Sequence, residues 1–80
     1  MKSEIKLFSH LRYKLGKDIL LVEVLDRMTV RDLKLRIKQL GGSKILNIPF
    51  RVAVNGNFVT DDFKIEEADE IALIPPVQGG

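Results

Sequence analysis

The residues with the clearest chemical potential are Pro75, Pro76, Val77, Gln78, Gly79 and Gly80, which close the sequence. Pro75 and Pro76 lock φ near −65°, lack a backbone donor and push the residues before them into extended geometry. Gly79 and Gly80 have no Cβ, so this stretch can enter a channel too narrow for any other residue. Extended, six residues reach roughly 20 Å. The reactive group at the end of that reach is the Gly80 α-carboxylate. A carboxylate is a poor electrophile at neutral pH, so acyl chemistry there requires activation by another enzyme, for instance as an acyl-adenylate. A frayed chain end without a role is the plain alternative.

Little else in the chain competes for a chemical role. There is no cysteine, which excludes disulfides, thiolate metal sites and a cysteine nucleophile. Any sulfur this protein handles has to ride on another group. His10 is the single histidine and reads as a solvent-exposed loop residue. The pairs Asp61–Asp62 and Glu66–Glu67 have no His or Cys beside them and read as solvated charges. No set of residues reads as a metal or cofactor site.

Thirteen Lys and Arg against eleven Asp and Glu leave a net charge of +2. The signs are interspersed, as on an ordinary solvated surface, so nucleic acid is not an expected partner. No run of eighteen apolar residues offers a membrane span, and no signal-peptide pattern opens the chain. The expectation is a cytoplasmic protein with no membrane contact.

The elements that must position residues 75–80 can be read from periodicity. Eighty residues make one small domain with a single core, divided here into a body, 1–74, and a flexible tail, 75–80. A first strand is expected over Ser3–Ser9 and a second over Asp18–Val24, joined by a short turn or helical loop that ends at Gly16. Thr29 is an N-cap with Asp32 three residues on, a weak form of the capping box. Val30, Leu33, Ile37 and Leu40 then form one apolar stripe of an eleven-residue helix closed by Gly41-Gly42. Ile45, Leu46 and Ile48 in the connector Ser43–Pro49 are expected to pack on the core.

Arg51–Val54 and Asn57–Val59 are strands joined by Asn55-Gly56, a two-residue turn that needs φ > 0 at both positions. Ile65 anchors a polar loop, and Glu70–Ile74 is the last strand. The order β-β-α-β-β-β predicts an α+β fold: a ubiquitin-like β-grasp, with a mixed sheet of about five strands packed on one main helix. In that topology the first and last strands lie parallel side by side, and the Gly-Gly tail leaves from the middle of the sheet.

The stretch Asp69-Glu70-Ile71-Ala72-Leu73-Ile74-Pro75-Pro76-Val77-Gln78-Gly79-Gly80 resembles the ubiquitin-like sulfur-carrier family (MoaD/ThiS). So do the hairpin Val52-Ala53-Val54-Asn55-Gly56 and the opening Leu7-Phe8-Ser9-His10-Leu11-Arg12. The Pro-Pro before the glycines is most similar to its molybdopterin synthase small-subunit branch. The resemblance implies that an E1-like adenylating enzyme uses ATP and Mg²⁺ to activate the Gly80 carboxylate. Sulfur from a donor such as a cysteine desulfurase then replaces AMP, giving a thiocarboxylate. The tail would enter a pocket of the synthase large subunit and give its sulfur to cyclic pyranopterin monophosphate, two carriers serving one dithiolene.

It further implies a heterotetramer of two small and two large subunits, in which this chain binds no cofactor and is inert alone. Phe8 and Arg12 match family positions near the tail's exit and are expected partner contacts. Leu73 or Ile74 is expected to add apolar surface to that interface, the other facing the helix as core. Ala68 departs from the family, standing where many relatives have glycine; a φ > 0 turn there costs Ala on the order of 1 kcal/mol. A second function stays open: the same adenylate attacked by a lysine amine makes a ubiquitin-like modifier, and the same thiocarboxylate can feed thiamine synthesis or tRNA thiolation.

Overall fold

A computed structural model describes residues 2–45, 47–66 and 69–75. In β1 (Lys2–Leu7) exposed and buried residues alternate strictly, with Ser3, Ile5 and Leu7 inward and Lys2, Glu4 and Lys6 outward. A period-two pattern of this kind gives a sheet with one dry and one open face. A short helix, α1 (Ser9–Leu15), follows where a short turn or helical loop was expected. It buries Leu11 and ends at Gly16, whose φ of 67° supplies the left-handed cap. β2 (Ile19–Glu23) returns antiparallel to β1, with Lys6 opposite Ile19.

The main helix, α2 (Val30–Gly41), starts on a complete reciprocal capping box. The Thr29 N–H donates to Asp32 Oδ2 at 3.1 Å, and the Asp32 N–H donates to Thr29 Oγ1 at 3.3 Å. The next two N–H groups, of Val30 and Arg31, donate to the carbonyls of Phe63 and Asp61. The loop after β4 therefore finishes the helix N-terminus, whose donors have no partner within the helix. Lys34 Nζ joins it, 2.6 Å from Asp61 Oδ1.

Val30, Leu33 and Ile37 are fully buried, as their spacing predicts, but Leu40 is 49% exposed. Gly41 takes the inward position instead. The reason is the connector: Ile45 folds back over the end of α2, and a Cβ on Gly41 would collide with its Cδ1 and Cγ1. Gly42 has φ 57° and ψ −142°, a conformation that side chains resist. The two glycines thus serve different ends, one for close approach and one for the turn into the 3₁₀ segment Gly42–Lys44. Leu46 lies outside the described residues; Ile45 is core, and Ile48 packs partly buried against it.

β3 (Arg51–Val54) and β4 (Asn57–Phe58) form the second hairpin across Asn55-Gly56, with φ of 52° and 85°. β4 is one residue shorter than expected. β5 (Ile71–Ile74) is paired on both sides, parallel to β1 and antiparallel to β3, and the strand order is β2-β1-β5-β3-β4. This is the ubiquitin-like β-grasp, with the helices on one face and the core between. No helix among the described residues is long and apolar enough to cross a membrane.

Candidate functional site

The strand that carries the chain toward residues 75–80 is the central one of the sheet. Ile71–Leu73 pair with Ile5–Leu7 and Ile71–Ile74 pair with Arg51–Val54. Hydrogen bonding on both edges leaves β5 no free ladder from which to peel. Its entry is clamped as well. Asn55, in its left-handed turn position, donates from Nδ2 to Asp69 Oδ1 at 2.9 Å and accepts the Glu70 N–H at Oδ1, also at 2.9 Å. The Asn55 N–H donates to the Glu70 carbonyl, and Asp69 Oδ2 accepts the Glu66 N–H at 2.8 Å.

At the end of the described residues Pro75 is buried. Pro76, Val77, Gln78, Gly79 and Gly80 lie outside the described residues, as does Ala68.

Alternation along β5 settles which apolar residue faces the open side of the sheet. Ile71 and Leu73 are 1% and 0% exposed and point into the core, whereas Ala72 and Ile74 face the open side, half-buried. Of the two expected interface candidates, Leu73 is therefore core and Ile74 stands on the open face, because successive side chains of a strand point to opposite faces. Ile74 joins Phe8, Phe58, Ala53, Ala72, Lys6 and Glu70 around a shallow groove of about 300 Å³. Phe8 and Phe58 are 44% and 50% exposed. Large aromatic faces left uncovered on a small domain mark an interaction surface.

Phe8 also walls a second hollow of about 250 Å³, shared with Arg12, Asp18 and Ile19. Arg12 is exposed there, its Nε 3.9 Å from Asp18 Oδ1. Phe8 thus adjoins Ile74 in one hollow and Arg12 in the other. Phe8 reaches both because it sits extended ahead of Ser9, whose φ of 53° turns the chain sharply into α1.

Phe58 and Arg51 went unnoticed in the sequence. Phe58 lies opposite Ala53, and the Arg51 guanidinium carbon stands 3.9 Å from the centroid of its ring. The Asn-Gly turn was the available signal, since it sets the register that sends Phe58 outward.

The Asp61–Asp62 pair is accounted for by local bonds, while Glu67 of the second pair lies outside the described residues. Lys34 beside Asp61 lowers that carboxyl below its ordinary pKa, and the Thr60 hydroxyl does the same for Asp62. Among the described residues no three His, Cys, Asp or Glu side chains gather as a metal site. His10 is exposed.

Comparison with known proteins gives the same address. The ThiS family model matches residues 5–80. The molybdopterin synthase sulfur carrier subunit of Dictyostelium discoideum is 34% identical over 84 residues, covering 96% of this chain and 94% of the relative. Among solved structures, the putative molybdopterin converting factor subunit 1 of Pyrococcus furiosus superposes with a TM-score of 0.83 at 28% identity, covering 96% of this chain and 99% of that one. The small archaeal modifier protein 1 of Haloferax volcanii superposes at 0.79 with 25% identity, covering 92% and 95%.

Proposed function

The chain belongs to the ThiS family, and from that membership we propose that it is the sulfur-carrier subunit of a molybdopterin synthase, with Gly80 as the carrying residue. The observation that supports this reading most is the doubly paired β5, clamped at Asp69 and Glu70, leading into Pro75-Pro76-Val77-Gln78-Gly79-Gly80. A rigid body with a slim glycine end suits a substrate arm delivered into another enzyme's pocket.

The steps follow from carboxylate chemistry. A Gly80 carboxylate oxygen attacks the α-phosphorus of ATP on an E1-like enzyme, pyrophosphate leaves, and the carbonyl carbon becomes electrophilic. The terminal sulfur of a persulfide on a donor such as a cysteine desulfurase attacks that carbon and AMP departs; a thiol of the donor then cleaves the S–S bond of the acyl persulfide, leaving the thiocarboxylate and a donor disulfide. The thiocarboxylate enters the large subunit, which supplies the acid–base groups, and its sulfur bonds to cyclic pyranopterin monophosphate while water hydrolyses the acyl–sulfur bond and restores the Gly80 carboxylate. The chain itself positions: Gly79 keeps the approach narrow, while Pro75 and Pro76 reduce the freedom lost on docking. Phe8, Arg12 and Ile74 meet the partner.

The modifier reading keeps one specific support, the likeness to the Haloferax protein. Intact mass of the protein from its own cells separates the two. A gain of about 16 Da at Gly80 that is alkylated as a thiolate is is the expected result, since the chain has no cysteine. Unmodified protein alongside isopeptide conjugates ending at Gly80 would replace the carrier with the modifier.

A further inference from the structure

Arg51 opens β3 directly opposite Ile74, the last residue of β5. Opposed residues of an antiparallel pair share a face, so Arg51 stands on the open side at the point where the chain leaves the sheet. Its guanidinium is stacked on Phe58, 3.9 Å from the ring centroid. It makes no ion pair or side-chain hydrogen bond among the described residues. A stacked guanidinium has its rotamer already chosen while its in-plane N–H donors remain free, and that planar fork matches a carboxylate.

One obvious role does not fit this position. A phosphate backbone is a poor match, because Glu70 lines the groove that Phe58 and Ile74 share and the chain carries a net charge of only +2. What fits is a protein surface with one carboxylate set beside an apolar side chain. Aromatic residues flanking an arginine are the usual composition of an energetic anchor.

We propose that Arg51 is a specificity-determining contact, pairing with an Asp or Glu of the protein that receives the tail while Phe58 and Ile74 take that partner's apolar group. The inference rests on the carrier reading and names the partner chemistry of the same face.

The test is calorimetric binding of the full chain to the molybdopterin synthase large subunit of the same organism, at low and high salt. Arg51→Gln is expected to weaken binding about tenfold or more and to flatten its salt dependence. Arg51→Glu should lose more, and Arg51→Lys should recover part by restoring the charge without the fork. Lys44→Gln, a control in the 3₁₀ segment, should bind as wild type, and melting curves confirm folding of every variant. Wild-type binding with Arg51→Gln unchanged to within about twofold and an unaltered salt slope overturns the Arg51 contact alone. No binding by wild type overturns the carrier reading, and this inference with it.

Discussion

Asn55 and Asp69, fourteen residues apart, are joined by a 2.9 Å hydrogen bond from Nδ2 to Oδ1. Through it the turn of the second hairpin holds the start of the strand that launches residues 75–80. Asn55 also accepts the Glu70 N–H, so one side chain in a left-handed turn couples two segments that meet only in the fold. Asn is suited to the task because it tolerates αL and carries both a donor and an acceptor.

Replacing Asn55 separates its two contributions. Asn55→Gly keeps the φ of 52° accessible and loses only the side-chain bonds, at about 1–2 kcal/mol. Asn55→Ala adds the strain of a left-handed alanine, about 1–2 kcal/mol more. Thermal melts should rank wild type above Gly above Ala, at roughly 4–8 °C per kcal/mol for a domain of this size. An alanine variant as stable as the glycine one contradicts the turn geometry.

Neighbouring residues of β5 should respond in opposite ways. Leu73, fully buried, should cost about 2–5 kcal/mol on truncation to Ala. Ile74→Ala, on the open face, should leave most of the stability and weaken binding to the large subunit. Denaturant midpoints and binding measured on the same preparations check the pair.

Gly41→Ala is expected to destabilise by about 1–3 kcal/mol through overpacking, since its Cβ would meet a side chain that is itself fully buried. Ile45→Val, which removes Cδ1, should cost less in the Gly41→Ala background than in wild type. A double-mutant cycle in urea reads that coupling.

Stability should fall in acid for a definite set of carboxylates. Asp32 is lowered by the Thr29 N–H and hydroxyl, Asp61 by Lys34, and Asp62 by the Thr60 hydroxyl. Each binds its proton more weakly folded than unfolded, so the unfolded chain takes up more protons as pH drops. The contribution is whole well above the unfolded value of about 3.9 and is lost as pH falls through it toward the lower folded value. Urea midpoints should decline over that window, and less steeply in Asp32→Asn.

Periodicity alone determined a good deal. The inward positions Val30, Leu33 and Ile37, the Asn-Gly turn and the Gly-Gly end were legible because each depends on spacing within one short segment, and the element order β-β-α-β-β-β then narrowed the topology. Tertiary structure decided what depends on two segments meeting. Leu40 yielded its core place to Gly41 because Ile45 folds back from the connector, and the short turn or helical loop after β1 became the full helix α1 because Leu11 had a core to enter. Leu73 and Ile74 are both apolar, and only the sheet's dry side told them apart. Phe58 and Arg51 became a site only through the register of β3 with β4 and β5, since stacking and strand pairing act across space and leave no period in the sequence.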